Sequence, residues 1–400
     1  MPKHYIFFTR NVLPQPQAHL VQVAHTANAA ANLGYSAVLV YLEKQLKALN
    51  PIDLIFPFRP RNPDAELAKF YNIQDKLKVA PLPMPWPIDR VNNKLTNKLT
   101  NSSTIATKYY FPVHILPKTK IVHTRDWNFV KTAIKHGIPA IYEHHHHEHK
   151  KFEHEIVTSP LFQISVTVAD TIRQTMIENG MPPEKVIKIH NGFNHLFLER
   201  QTEKATEWRQ KLLAGRQHLV VYSGALHEFK GVNLLIDVAK ALPEIQFALA
   251  GGNEEQVQNY QKLAQEKKVE NIAFLGHLTQ DKLASLLQAA DILAHPHLSG
   301  EAASFTSPLK LFDYMASGTP IVSSKIPPLQ EFESTKAVAG WCEPDDPNQF
   351  AQCLQQVLQT HPRKPEGYAE SMDFVNQFSC ENRLAKILSY VEDSMRPTLV

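Results

Sequence analysis

Cysteine is nearly absent from this 400-residue sequence. Cys342, Cys353 and Cys380 are odd in number and none lies in a CxxC pair, so neither a disulfide framework nor a cysteine zinc site is indicated. A reducing compartment is the matching environment. An excess of one charge is missing too. Lys and Arg number 42 against 39 Asp and Glu, a formal net charge of +3, without the basic surplus of a dedicated nucleic-acid binder. No apolar run reaches the ~18 residues of a membrane-spanning helix. The opening MPKHYIFFTRN holds too short an apolar stretch for a signal peptide. The expected location is cytoplasmic, with room for peripheral contact at the inner membrane face. Glycine is sparse at 14, whereas histidine is abundant at 20. The composition, 43% hydrophobic and 20% charged, is that of a folding globular chain, and the length suits two domains.

Short apolar runs alternate with helical periodicity. His4 to Thr9 reads as a buried strand. Leu20, Val23, Ala24, Ala27 and Ala31 follow at helical spacing, Gly34 stops the helix, and Ser36 to Leu42 is again a strand, completing a βαβ unit that implies a parallel sheet. Further strands are expected at Lys120 to His123, Pro139 to Glu143, Gln163 to Val168 and Val186 to His190, with Asp170 as N-cap of a helix ending near Gly180. A second series has expected strands at His218 to Ser223, Ile245 to Ala250, Ile272 to Leu275, Asp291 to His295, Pro320 to Ser324 and Ala337 to Trp341. Two doubly wound α/β domains follow, 1–190 and 191–379, with ligands expected beyond the carboxyl ends of the strands and the active site in the cleft between the domains. Residues 79–118 interrupt the rhythm with Pro81, Pro83, Pro85 and Pro87 and the polar repeat NKLT. They read as a solvated loop or short helix, or as an acceptor-side or membrane-surface element in which Lys94, Lys98 and Lys108 meet acidic groups.

Three stretches carry chemistry. In SFTSPLKLFDYMASGTP, Ser307 suits an N-cap and Pro308 the first helical position, so the helix offers free N–H groups and its positive dipole end to an anion, best a phosphate. Asp313 is spaced to accept hydrogen bonds from ribose or sugar hydroxyls; the plainer reading is a capped core helix with a solvent-facing carboxylate. YSGALHEFKG runs from a strand into a glycine turn with a lysine, which suits phosphate binding, yet it is neither a Walker loop nor GxGxxG. IHNGFN lies at the joint of the two series, and LAGGN ends another strand.

Taken in order, IHNGFN, YSGALHEFKGV, FALAGGN, the stretch NIAFLGHLTQDKLASLLQAADILAHP, SPLKLFDYMASGTPIVSS and the late FSCENRLAKILSYVED resemble the retaining glycosyltransferases of GT-B architecture, family 4, also called glycosyl transferases group 1. The resemblance is close over 190–395 and looser over 1–190. It implies two Rossmann-like domains facing across a cleft, an acceptor-side domain and a donor-binding domain, with a C-terminal helix, about 380–400, crossing back to the first. It implies transfer of a sugar from a nucleoside-diphosphate sugar to an acceptor hydroxyl, with no cofactor and no metal. The donor set would be Asn191, Gly192, Gly224, Lys230, Glu301, Phe305, Thr306, Ser307, Leu309, Lys310 and Asp313. Lys230 would bind the diphosphate, Asp313 would hold the ribose, and His145 would face the reacting sugar.

The sequence departs from the family pattern at three points. Phe305 stands where the first glutamate of E-x7-E falls, with Glu301 four residues earlier as a substitute. Ala225 stands where an arginine is common, and Lys310 offers the second cation. The second carboxylate is Asp313 rather than Glu. Two other readings stay open: a catalytically silent homologue that binds a sugar nucleotide or a partner, and a nucleotide-sugar epimerase of the same architecture. The run EHHHHEH (143–149) has metal-ligand residue types, but adjacent histidines on an extended chain face opposite ways. One or two active-site histidines in a polar loop, or a plain surface loop, fit it better than a metal site. At strand ends, Arg10, Asn11, Arg125 and Asp126 are acceptor-side candidates; Arg125 and Asp126 have the alternative of pairing with each other.

Overall fold

Runs such as AVLVYL and IQFALA, apolar at every position, are buried at every position. That is the signature of strands covered on both faces, as in a parallel sheet between helical layers. The computed structural model describes residues 3–43, 55–84, 102–304 and 309–399. The chain divides into two units, Met1–Gly192 with Cys380–Val400, and Phe193–Ser379.

The first unit contains seven strands: β1 (His4–Val12), β2 (Ala37–Leu42), β3 (Lys78–Leu82), β4 (Thr119–Thr124), β5 (Ala140–Glu143), β6 (Phe162–Thr167) and β7 (Val186–Lys188). They form one parallel sheet in the order β3-β2-β1-β4-β5-β6-β7. The second unit contains β8 (His218–Ser223), β9 (Ile245–Ala250), β10 (Ile272–Gly276), β11 (Ile292–His295), β12 (Ile321–Ser324) and β13 (Gly340–Cys342). Its sheet, also parallel, runs β10-β9-β8-β11-β12-β13. Both orders reverse direction at one place, between β1 and β4 and between β8 and β11. There the loops leave opposite sides of the sheet and open a crevice at its carboxyl edge.

Local differences from the sequence expectations have physical causes. β3 runs through Pro81, where a surface loop was expected; it is an edge strand, and an edge tolerates the missing N–H. Helical turns Ser102–Ile105 and Ala106–Ile115 occupy the end of the same stretch. Its residues 85–101, with Lys94 and Lys98, lie outside the described residues. Asp170 is the first residue of its helix rather than its cap: Ala169 holds the cap position, and the Asp170 carboxylate reaches Lys188 at 2.8 Å.

The last helix, Cys380–Ser389, belongs to the first unit. Leu384, Ile387 and Leu388, with Val391 just beyond, make an apolar stripe at helical spacing that joins the core formed by Tyr5, Phe7, Leu39 and Ile121. Gly192 lies so close to its start that a Cβ there would stand 2.7 Å from Cys380 Cα. Among the described residues no helix is long and apolar enough to cross a membrane.

Candidate active site

In the second unit, chemistry gathers where β8 and β11 part. After β8 the chain turns at Gly224, whose φ of +137° lies outside the range side chains favour. The Lys310 side chain lies across this glycine; a Cβ would stand 2.9 Å from Lys310 Cε. The turn Glu228–Lys230 then ends at Gly231, which carries φ +75° and leaves no room for any side chain, because a Cβ would collide with the Pro296 carbonyl at 1.5 Å. Leu298 N donates to Phe229 O at 3.0 Å and closes this contact between the loops after β8 and β11. From the helix Leu309–Ser317, the hydroxyl of Tyr314 accepts from Ser223 N at 2.7 Å and ties that helix to the end of β8.

This packing brings Lys230 and Lys310 to one place. Lys310 Nζ lies 4.0 Å from the centre of the Tyr222 ring, buried and, among the described residues, with no hydrogen-bond partner. Lys230 Nζ lies 4.9 Å from the Phe229 ring centre and 3.1 Å from His297 Nε2. Among the described residues neither lysine has a carboxylate partner. Burial pushes the Lys230 ammonium down to about 8. Burial, then repulsion from Lys230, holds Lys310 well below the usual lysine range. Asp313, one turn further along the helix, is half-buried, and burial raises its carboxyl well above the ordinary value. It is not the solvent-facing carboxylate of the plainer reading. The site is a cationic, partly desolvated edge whose lysines have no ion-pair partner among the described residues, and such a site gains most from a multiply charged anion.

The remaining donor candidates are placed differently. Phe305, Thr306 and Ser307 lie outside the described residues. Leu309 opens the helix that carries Lys310 and Asp313. Glu301 begins the short turn Glu301–Ser304, is exposed, and pairs with neither lysine. Asn191 and Gly192 belong to the first unit, where the glycine is required by the close approach of Cys380.

In the first unit the carboxyl edge holds a different constellation. Glu143, at the end of β5, is buried and accepts from Arg383 NH1 at 2.9 Å and NH2 at 3.2 Å, His123 Nε2 at 2.8 Å and Gln22 Nε2 at 2.7 Å. Burial alone would raise its pKa, but Arg383, His123 and His145 hold the carboxyl well below the usual range. His145 Nε2 stands 3.0 Å from Glu143 Oε2, outside good hydrogen-bond geometry, and its Nδ1 accepts from Arg125 NH1 at 2.8 Å. Burial, with Arg125 beside it, pushes the imidazole down to about 3, so His145 is neutral. Arg10 and Asn11 end β1, with Arg10 exposed. Arg125 and Asp126 do not pair with each other. Asp126 caps the helix Trp127–Lys135 by accepting from Phe129 N at 3.0 Å and also from Ser103 Oγ at 3.0 Å. In the histidine run, His144 stacks on Tyr142 and its Nδ1 meets the Tyr142 hydroxyl at 3.0 Å. Among the described residues no three His, Cys, Asp or Glu side chains converge as metal ligands.

The sequence reading missed Glu143 and Arg383 as partners, and also His295, His297 and Tyr314. The HPH triplet that ends β11 and begins the loop after it was the available signal, since it sits at the switch point of the second sheet.

Two parallel sheets of this order, one with a glycine turn and paired lysines at its switch point, define the class: a doubly wound α/β protein with a cationic carboxyl edge in its second unit. Within that class residues 204–371 match the family described as glycosyl transferases group 1. The chain is 27% identical over 215 residues to an alpha-galactosylglucosyldiacylglycerol synthase of Streptococcus pneumoniae, a match covering 50% of this chain and 53% of that one. It is 25% identical over 245 residues to a D-inositol 3-phosphate glycosyltransferase of Corynebacterium aurimucosum, covering 58% and 57%. The chain thus spans about half the length of the curated relatives it matches. Among solved structures, Anabaena HepE in complex with UDP and glucose superposes with a TM-score of 0.65 at 15% identity, covering 97% of this chain and 99% of that one. The catalytic domain of starch synthase IV from Arabidopsis thaliana, bound to ADP and acarbose, gives 0.66 at 14%, covering 99% and 100%. The architecture is the GT-B fold.

Proposed function

We propose that the chain is a retaining glycosyltransferase that moves a sugar from a nucleoside-diphosphate sugar to an acceptor hydroxyl. The observation that carries this reading is the pair of half-buried lysines, Lys230 and Lys310, at the switch point of the second sheet, which have no carboxylate ion-pair partner among the described residues. A diphosphate supplies the missing charge. As the bond from the sugar to the diphosphate breaks, negative charge grows on the leaving phosphate, and two preorganised ammonium groups stabilise it. Their role takes the place of a divalent ion, so the reaction needs no metal. Asp313 binds the ribose hydroxyls, and Gly224 lets the phosphates approach the backbone. Glu301, Phe305, Thr306, Ser307 and Leu309 complete the donor side, with Asn191 and Gly192 at the joint.

The acceptor binds at the first unit's carboxyl edge, at Arg10, Asn11 and Arg125. The leaving phosphate takes the acceptor's proton on the face it departs from, which keeps the anomeric configuration. His145 supports the reacting sugar and does not serve as the base, because Arg125 occupies its Nδ1, Glu143 faces its Nε2, and burial keeps it neutral. We place the reaction in the cytoplasm, where Cys342, Cys353 and Cys380 remain free thiols.

A thermal-shift panel of UDP-, GDP-, ADP- and TDP-sugars, with Mg²⁺ and with EDTA, tests this. Ligand at a hundred times its Kd stabilises the native state by about 2.7 kcal/mol. The expected result is a metal-independent shift with one nucleotide, absent in Lys230→Ala, accompanied by slow donor hydrolysis. No shift with any nucleotide overturns the reading. Binding without turnover supports a silent homologue, which the Phe305 substitution favours.

A further inference from the structure

His297 is fully buried, and among the described residues one of its ring nitrogens, Nδ1, has no partner. Its hydrogen-bonding contact is Nε2 to Lys230 Nζ, at 3.1 Å. An orphaned buried N–H costs stability that an apolar side chain at this position would avoid. The ring is nonetheless held firmly. It stacks on His295 with centres 4.8 Å apart and planes 27° apart, and His295 Nδ1 meets Ser323 Oγ at 3.2 Å. The Phe229 ring lies tilted near it, with ring centres 6.1 Å apart. The groups around this ring are cationic or neutral: Lys230 and Lys310 repel a proton from it, His295 lies against it, and burial pushes both imidazoles well below the usual histidine range.

A buried lysine is usually steadied by a carboxylate, which also cancels its charge. Here a neutral acceptor takes that place. We propose that His297 is a positioning residue for the donor diphosphate: its Nε2 accepts a hydrogen bond from the Lys230 ammonium and fixes that charge in the site without neutralising it. This rests on Lys230 binding the diphosphate, as proposed above. The device explains why a histidine with an unsatisfied nitrogen stands directly after β11. An aspartate or glutamate there would hold Lys230 equally well and would compete with the incoming anion.

The test pairs His297→Leu with His297→Gln, whose amide oxygen can occupy the place of Nε2. Thermal unfolding first establishes that both variants fold. Binding of UDP, GDP and ADP, and of their nucleosides, is then measured by titration calorimetry. For the diphosphate that binds wild type, His297→Leu weakens affinity about tenfold. His297→Gln regains most of the loss, nucleoside binding is unchanged, and His297→Leu adds nothing in a Lys230→Ala background. Equal losses for nucleoside and diphosphate, no rescue by Gln, or an undiminished effect without Lys230 overturns the proposal. A second readout needs no ligand. The Lys230 side chain is titrated by NMR in the free protein, with His297, His295 and Lys310 as the titratable groups about it. Loss of the acceptor disfavours the charged form, so the Lys230 pKa falls in His297→Leu and recovers in His297→Gln. If none of the three nucleotides binds wild type, the donor reading fails and the Lys230 titration alone decides on His297. An unchanged titration then overturns the positioning role.

Discussion

Both units gather charge at the carboxyl edge of a parallel sheet, after β5 in the first and after β8 and β11 in the second, and they treat it in opposite ways. In the first unit, Glu143 accepts hydrogen bonds from Arg383, His123 and Gln22, and His145 Nε2 stands 3.0 Å from it, so the buried carboxylate is compensated. In the second, Lys230 and Lys310 sit at the carboxyl edge against His297 and the rings of Tyr222 and Phe229, and among the described residues neither forms an ion pair. A compensated network lowers the free energy of the folded chain only if it stays complete. An uncompensated one raises that free energy until an anion arrives. One edge therefore reads as a clasp for the final helix, and the other as a site held ready for a ligand.

That contrast is most exposed at Glu143. Glu143→Leu leaves Arg383 buried without its carboxylate, and the expected loss is about 3–5 kcal/mol of stability. Urea denaturation measures it as a lower midpoint; an unchanged midpoint would mean the clasp is not structural. Lys310→Met should do the reverse. It removes an unpaired buried charge, so the unliganded protein gains about 1 kcal/mol, while sugar transfer falls about 10²–10³-fold through loss of leaving-group stabilisation. A variant that is both less stable and fully active would erase the distinction between the two edges.

Proton linkage offers a subtler check. The Lys230 pKa is about 8 when folded, against about 10.4 for an unperturbed lysine. Between those values the unfolded chain binds more protons, so this residue's contribution to stability rises with pH across that window. Diphosphate affinity runs the other way and falls as Lys230 loses its charge above about pH 8. Calorimetry in buffers of different ionisation enthalpy near pH 8 should detect proton uptake on nucleotide binding, and Lys230→Ala should reduce it. The smallest effect is expected at Asp126. Asp126→Ala loses the helix cap and about 1 kcal/mol, Asp126→Asn retains nearly all of it, and neither shifts the KM for the acceptor. A raised acceptor KM in Asp126→Asn would return this residue to the acceptor site.

Much of this architecture is legible in residue order. Alternating apolar runs and helical stripes announce two parallel sheets, since a strand buried on both faces must be apolar throughout. The glycine turn before Lys230 is legible for a local reason: Gly224 and Gly231 take backbone angles that other residues avoid. β3 is not legible in the same way, because Pro81 argues against a strand until its edge position is known. Asp126 beside Arg125 looks like an ion pair, and only the helix that follows turns it into a cap.

Residue order alone was enough for most properties that depend on near neighbours: which segments other than the edge strand β3 are strands, where the chain turns, and which loops carry phosphate-binding residue types. The long-range pairings belonged to the folded chain. Glu143 meets Arg383 across 240 positions, and Lys230 meets His297 across 67. No periodicity encodes such distances, because they arise from how strands order within a sheet and which helix returns to which core. That neither lysine forms an ion pair among the described residues is likewise a fact of packing: Asp313 stands on the same helix as Lys310, yet Lys310 Nζ turns to the Tyr222 ring instead.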